Sequence, residues 1–365
     1  MSDAVICSAK RTPMGGFQGE LGGLKATELG AVAIRGALAD AGIEGNDVDE
    51  TIMGIVLPAG VGQAPARQAS LGAGLPLSTP ATAVSKVCGS GMQAVIQGCN
   101  QISSGVSRFV VAGGMESMSN APYLSPNTRS GARLGHAKMV DHMFFDGLED
   151  AYAVASLNRA LAASDDGAFA GEIAPVTIKT RGGEKVARTD EQPRNARLDK
   201  IPLLKPAFAS DGTVTAANAS SISDGAAALV LASRDAAAAQ KLPIRARIVG
   251  FAGHAQEPGW FTTAPVAATH KLLERIGWSV ADVDLWEVNE AFAVVAMAFM
   301  HDLEIDHERM NVNGGACALG HPIGASGARI LVTLLHALEQ RDLKRGVAAI
   351  CIGGGEALAV AIERE

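Results

Sequence analysis

What most constrains this chain is that its two ends repeat one pattern. Near the start, Asp47-Val48-Asp49 leads into the apolar run Ile52-Met53-Gly54-Ile55-Val56-Leu57. A second apolar approach, through Ala81, Ala83, Val84 and Val87, enters Cys88-Gly89-Ser90-Gly91, and a helical run follows from Met92 to about Ser103. Phe109-Val110-Val111-Ala112 then reads as a strand that ends in Gly113-Gly114-Met115-Glu116. Near the other end the order recurs. Asp282-Val283-Asp284 leads into Leu285-Trp286-Glu287-Val288, and Ala325-Ser326-Gly327 opens a helix through Ile330, Leu331, Leu334, Leu335 and Leu338. Val347 to Ile352 reads as a strand that ends in Gly353-Gly354-Gly355-Glu356. Asp47 to Gly91 spans 44 positions and Asp282 to Gly327 spans 45. That period is too long for a solenoid. The chain is instead a duplicated pair of α/β units, roughly residues 4–118 and 246–365.

Each unit alternates strand with helix, which predicts a mostly parallel sheet covered by helices. Leu29, Val32, Ala33, Ala37, Leu38 and Ala41 fall on a helical period, giving a helix over 26–41 with Thr27 as N-cap and Gly42 as stop. A second helix is expected over 64–73, and a third ends at Gly277 after Leu272 and Leu273. Two such units about a pseudo-twofold would stack as helix, sheet, helix, sheet, helix. Residues 119–218 fit neither unit. They are loop-rich, with Pro122, Pro126, Gly131 and Gly135, and hold one helix from about 150 to 163. Core-like sequence returns before a strand at 225–231. The expected division is 1–118 with 219–245 as an N-terminal half, 119–218 as an inserted cap, and 246–365 as a C-terminal half.

Charge and cysteine usage remove several function classes. The net charge of −7 argues against a nucleic-acid partner. Within 176–205, Lys179, Arg181, Lys185, Arg188, Arg194, Arg197, Lys200 and Lys205 face four acids, a local +4 that reads as a solvated face or as a landing strip for an anionic cofactor. Cysteines 7, 88, 99, 317 and 351 are odd in number and form no CxxC pair, so neither a disulfide framework nor a zinc ribbon is indicated. No secretory leader is expected from Met1-Ser2-Asp3-Ala4-Val5-Ile6, and no apolar run is long enough to span a bilayer. A soluble, reducing compartment is expected, most simply the cytoplasm, with no membrane partner.

Four residues in Gly-rich loops or at strand ends carry the chemistry. Cys88 sits where unpaired N–H groups and the helix dipole favour a thiolate, although a free cysteine is often a small buried hydrophobe, as Cys7 and Cys99 are expected to be. Cys351 ends a strand before three glycines. Asn289 lies just past a strand end, where it could also serve simply as a helix N-cap. His321 lies between Gly320 and Pro322 in a glycine-dense loop. Strand ends in such sheets are where ligands bind. Gly89-x-Gly91-x-x-Ala94 echoes a dinucleotide fingerprint, but no acid stands about twenty positions on. No metal-ligand spacing is present. Two cysteines, a histidine and an asparagine suit carbon–carbon bond exchange on thioesters: one thiolate holds an acyl group, and a second acid/base moves a proton at the α-carbon.

The motifs Arg11-Thr12-Pro13, Val87-Cys88-Gly89-Ser90-Gly91, Gly113-Gly114-Met115-Glu116-Ser117-Met118-Ser119 and Gly212-Thr213-Val214-Thr215-Ala216 resemble those of the thiolase family. So do Asn289-Glu290-Ala291-Phe292, Gly320-His321-Pro322-Ile323-Gly324-Ala325-Ser326-Gly327 and Cys351-Ile352-Gly353-Gly354-Gly355. The resemblance runs almost end to end, and the Ala325-Ser326-Gly327 variant is closer to the short-chain biosynthetic branch. It implies a five-layer αβαβα fold built from two βαβαβαββ halves, and condensation of two acetyl-CoA to acetoacetyl-CoA with its reverse thiolysis. Acetyl-CoA, acetoacetyl-CoA and CoA are then substrates, and no cofactor is needed. By the resemblance, Cys88 is the acylated nucleophile, His321 its activator and Cys351 the acid/base at the α-carbon. Asn289 holds a water in one oxyanion hole, shared with His321, and the N–H groups of Cys88 and Gly353 serve the other. Ser220, Leu148, Ala291 and Phe292 match positions along the pantetheine tunnel. The family is usually tetrameric, so a homotetramer, a dimer of dimers, is expected.

Ketoacyl synthases share the expected fold but use two histidines, and Asn289 stands where the second would be. The residues also admit a longer-chain 3-ketoacyl-CoA thiolase, or a CoA-thioester-binding protein with impaired catalysis. The binding protein rests on a departure from the family. After Asp146-Gly147-Leu148 the chain passes straight into Glu149-Asp150-Ala151-Tyr152, where the family carries a further helix and loops that shape the tunnel. The join holds no turn signal, which favours a segment unseen over a segment deleted.

Overall fold

The structure is a computed structural model, and it describes residues 3–125, 139–141, 153–196, 215 and 219–365. The first half contributes β1 (Ala4–Arg11), α1 (Ala26–Ala41), β2 (Glu50–Gly54), α2 (Pro65–Gly72), β3 (Ala81–Val84), α3 (Ser90–Ser103) and β4 (Phe109–Ser117). Between the halves lie α4 (Ala153–Asp165) and the hairpin β5 (Val176–Thr180) and β6 (Gly183–Ala187). Strand β7 (Ser223–Ser233) returns to the first sheet. The second half runs β8 (Ala246–Ala255), α5 (Ala264–Ile276), β9 (Leu285–Val288), α6 (Ala293–Asp302), α7 (Ala316–Leu319), α8 (Ser326–Gln340), β10 (Arg345–Ile352) and β11 (Glu356–Arg364).

The duplication holds strand by strand. The first sheet has the order β3-β2-β4-β7-β1, and the second has β9-β10-β11-β8. An isolated parallel bridge from Trp286 to Met310 takes the place of β3 in the second sheet. Short antiparallel pairing of β1 with β8, at Val5 with Arg247 and Ile6 with Ala246, joins the two sheets edge to edge. The expected parallel sheet holds only in part. Pairs β2 with β3, β2 with β4 and β9 with β10 are parallel. Strands β7 and β11 run antiparallel to both neighbours. The reason is visible in the second half, where Gly353, Gly354 and Gly355 turn β10 straight into β11. A tight turn can only join antiparallel strands. In the first half the inserted cap occupies that same junction.

Side chains alternate across each strand and so divide the core into three. Between the sheets, Met92, Val95 and Ile102 of α3 pack with Ile330, Leu334 and Leu338 of α8, against Ile52, Val110 and Leu229 on one side and Ile350, Val360 and Ile362 on the other. Outside the first sheet, Leu29, Ile34 and Leu38 of α1 cover Cys7, Met53 and Val111. Outside the second, Leu272 of α5 and Phe299 of α6 cover Trp286, Val347 and Ala349. Five layers result, with the paired helices α3 and α8 in the middle. Each buried Leu or Ile contributes roughly 1.5–3 kcal/mol, so the central layer is the costliest to open.

Two local expectations shift. Helix α1 starts after Lys25, not at Thr27, because the Glu28 side chain reaches back to accept the Lys25 N–H at 2.8 Å, while Thr27 is buried inside the helix. Gly42 does end it, at φ 70°. The basic stretch lies on the hairpin β5–β6 and beyond. Lys179, Arg181, Lys185, Arg188 and Arg194 are exposed, Lys185 pairs with Glu20 and Arg194 with Asp165. Arg197, Lys200 and Lys205 lie outside the described residues. Cys7 and Cys99 are core, as expected, and burial pushes the Cys7 thiol up to about 12.

Candidate active site

The turn before α3 is built to present Cys88. Val87 adopts φ 46°, a left-handed conformation that a β-branched residue takes only under constraint. Ser90 supplies the constraint: its Oγ accepts the Lys86 N–H at 2.8 Å and donates to the Val87 carbonyl at 2.7 Å. The Gly89 and Ser90 N–H groups also fold back, onto Lys86 and Val87 carbonyls. Cys88 is buried two residues ahead of the helix, at its positive end.

This turn lies against the end of β10. A Cβ on Gly89 would meet Ile352 at 2.5 Å, and one on Gly353 would meet Val87 at 3.5 Å. Cys351 is wholly buried, and its thiol is held well above the ordinary range by burial and by the neighbouring Cys88. At the rim, Lys86 and Glu356 form an ion pair between the halves. The other helix start closes the opposite side. A Cβ on Gly91 would lie 2.8 Å from the Ala328 N, and one on Gly327 would lie 2.5 Å from the Met92 N. That reciprocal pair marks the pseudo-twofold, so the N-termini of α3 and α8 face each other.

His321 hangs from the loop before α8. Its Nδ1 lies 2.5 Å from Ser326 Oγ, and that hydroxyl donates its one proton to the Pro322 carbonyl at 3.1 Å. Nδ1 must then carry the donated hydrogen, which leaves Nε2 as a bare lone pair. Nε2 is buried and has no hydrogen-bond partner among the described residues. Burial, then the charge of Arg329, pushes this imidazole down to about 3, so it is neutral at ordinary pH. Asn289 extends β9 by one residue, its N–H donating to the Ala349 carbonyl at 2.9 Å. It is not a helix cap: α6 starts at Ala293 with Phe292 as N-cap. Both Asn289 side-chain atoms, Oδ1 and Nδ2, are buried without a hydrogen-bond partner among the described residues. A buried amide and a buried imidazole with unmet hydrogen bonds are unfavourable unless a ligand supplies the other half.

The expected tunnel residues are placed in part. Ala219 bridges to Phe292, and the Ser220 N–H donates to the Ala291 carbonyl at 3.1 Å. The Ser220 hydroxyl is buried, with no hydrogen-bond partner among the described residues. Phe292 packs edge-on against Phe261 at 5.8 Å. Leu148 lies outside the described residues. Among the described residues no cluster of His, Cys, Asp and Glu is disposed to hold a metal ion.

Several buried acids escaped the sequence reading. Glu116 accepts the N–H groups of Val56, Leu57 and Gly324, tying the first sheet to the loop after His321, and burial pushes it up to about 7. Glu290 accepts from Ser156, Asn311 and the Cys317 N–H. Glu287 pairs with Arg329 inside the fold. The available signal was two acids, Glu287 and Glu290, inside an otherwise apolar strand end.

Profiles of the thiolase N-terminal domain match residues 4–152 and 148–235, and that of the thiolase C-terminal domain matches 242–364. An acetyl-CoA acetyltransferase of Pseudomonas aeruginosa is 47% identical over 393 aligned positions, covering all of both chains. One from Cupriavidus necator is 48% identical with the same coverage. Among solved structures, the Bacillus anthracis acetyl-CoA acetyltransferase superposes with a TM-score of 0.96 at 39% identity, over 100% of this chain and 99% of that one. Human mitochondrial 3-ketoacyl-CoA thiolase gives 0.95 at 37%, with the same coverage. The 393 aligned positions against 365 residues leave 28 that this chain does not fill. The N-terminal profile breaks at 148–152, where the chain is continuous. The segment after Leu148 is therefore absent from the chain and not merely unseen, contrary to the expectation from the smooth join. With its duplicated sheets, facing helix starts and full-length similarity, this chain belongs to the thiolase family.

Proposed function

We propose that the protein is an acetyl-CoA C-acetyltransferase. His321 Nε2 takes up the Cys88 proton, the Cys88 thiolate attacks the carbonyl of acetyl-CoA, the carbon–sulfur bond to CoA breaks, and the Cys351 thiol gives its proton to the leaving CoA thiolate. The Cys351 thiolate then takes an α-proton from a second acetyl-CoA, whose carbanion attacks the acetyl-Cys88 carbonyl to give acetoacetyl-CoA, and His321 Nε2–H returns its proton to the released Cys88 thiolate. Thiolysis is the same path reversed. Asn289 and His321 serve one developing oxyanion, and the N–H groups of Cys88 and Gly353 serve the other. Ser220, Ala291 and Phe292 line the pantetheine path. The protein carries the acyl group itself, so CoA thioesters are substrates and no cofactor takes part.

What supports this is the buried Nε2 of His321, without a hydrogen-bond partner among the described residues, together with the neighbouring thiols Cys88 and Cys351. Incubation with acetyl-CoA should add one acetyl group to Cys88 by intact mass and peptide mapping. Thiolysis of acetoacetyl-CoA retained by Cys88→Ala would sink the assignment. The shortened chain after Leu148 favours a second reading, a CoA-thioester-binding protein with impaired catalysis. Acetyl-CoA binding without acetylation of Cys88 would select it. A series of 3-ketoacyl-CoA substrates separates a short-chain enzyme from a longer-chain one. We assign a homotetramer in the cytoplasm by analogy with the family. No described helix is long and apolar enough to cross a membrane.

A further inference from the structure

Glu287 and Arg329 form an ion pair where ion pairs are costly. Both side chains are fully enclosed, at 2% and 0% exposure, with Arg329 Nη1 2.9 Å from Glu287 Oε1. The fit is incomplete, since Arg329 Nε and Nη2 are buried without hydrogen-bond partners among the described residues. Glu287 shares β9 with Leu285, Trp286 and Val288, all buried. Taking two charges out of water costs several kcal/mol per ion, and well-packed apolar residues in their place are often as stable or more so. Stability alone therefore does not account for the pair.

Its position does. Glu287 stands two residues before Asn289, so the two side chains fall on the same face of the extended strand. Arg329 stands three residues after Ser326 on α8, so those two share a helix face. Ser326 is the residue that holds His321 Nδ1. The pair is the direct polar link between the strand that carries Asn289 and the helix that orients His321. Sheet and helix meet there through apolar side chains that fix no angle, whereas a charge-assisted hydrogen bond has a preferred distance and direction.

We infer that Glu287 and Arg329 are positioning residues, setting the separation of the Asn289 amide from His321 Nε2 and hence the geometry of the oxyanion hole those two form. This rests on the acyltransferase reading above. An oxyanion hole acts only when its donors sit within a few tenths of an ångström of the developing charge. A loosened link should therefore reduce kcat and leave substrate binding nearly intact.

The decisive variant replaces both partners, Glu287→Leu with Arg329→Met, because it removes the charges without leaving one unpaired. The double variant should melt within a few degrees of the wild type, or above it. Its kcat for acetoacetyl-CoA thiolysis should fall about 10- to 1,000-fold, with KM changed less than about threefold. A folded double variant with kcat within about twofold of wild type would overturn the proposal, as would an equal loss through KM alone. Should the double variant not fold, Glu287→Gln keeps the shape and one acceptor. It should lose kcat about 10-fold with KM held, and full activity there would overturn the proposal equally. Wild-type protein that takes no acetyl group onto Cys88 removes the functional reading itself, and that is seen before any variant is made.

Discussion

The two halves of the molecule repeat one scaffold and divide the chemistry between them. Asp49 Oδ2 accepts the N–H groups of Arg108 and Phe109 at 2.7 and 2.9 Å, and Asp284 Oδ2 accepts those of Lys344 and Arg345 at 3.0 and 2.8 Å. The same carboxylate clamp thus starts the same strand pair twice. At the helix starts the parallel continues and then breaks. Ser90 and Ser326 both donate back to a carbonyl just before their helices. Ser90 spends its remaining capacity on its own turn, on Lys86 N–H, which fixes the backbone under Cys88. Ser326 instead accepts from His321 Nδ1. Where the first half has Cys88, the second has Gly324, whose N–H is held by Glu116 of the first half. The duplication supplied two facing helix N-termini, and divergence put Cys88 before one and His321 before the other.

Breaking that asymmetry should give the largest effects. Cys88→Ala should lower thiolysis of acetoacetyl-CoA by at least about 10⁴-fold and abolish acetyl-enzyme by intact mass, because the matching position of the second half is Gly324 and the raised Cys351 thiol is a poor nucleophile. His321→Asn should cost roughly 10²–10⁴-fold in kcat, and Ser326→Ala, which frees the ring without removing it, should cost less. A burst of acetylation measured by quenched flow checks both.

His321 also gives a pH test with a definite sign. Its imidazole is pushed down to about 3 from 6.5. The unfolded chain therefore takes up a proton first as pH falls below 6.5, and the folded state loses stability from there toward pH 3. The melting temperature of the wild type should drop more between pH 7 and pH 5 than that of His321→Asn. Equal slopes would show that His321 is not held neutral.

Smaller effects test the shared scaffold. Gly91→Ala and Gly327→Ala each drive a Cβ into backbone across the pseudo-twofold, so each should destabilise by about 1–3 kcal/mol. Similar losses by denaturant melts would sharpen the symmetry, and a loss in only one would break it. Asp49→Ala and Asp284→Ala should each cost about 1–2 kcal/mol by removing acceptors from two N–H groups. Neither should alter kcat, because both clamps lie at the strand starts, away from the paired cysteines.

Much of this was legible in the residue order. The repeated Asp-Val-Asp, the glycines after each strand and the helical periods over 26–41 and 326–338 are local signals, set by turn conformation and by which face of an element must be buried. They determined two α/β halves, and they singled out Cys88, Asn289, His321 and Cys351 because polar groups at glycine-rich strand ends have few structural uses. Local signals could not place the antiparallel strand inside each sheet, since that depends on which edge a returning strand finds. They could not choose Lys25 over Thr27 as the cap, because Glu28 decides that by reaching back. Nor could they show that Ser326 fixes the His321 tautomer, that Val87 is held in a strained turn, or that Glu287 meets Arg329. Those facts depend on distances between residues far apart in the chain. Burial sets their energies, and burial exists only once the five layers have closed.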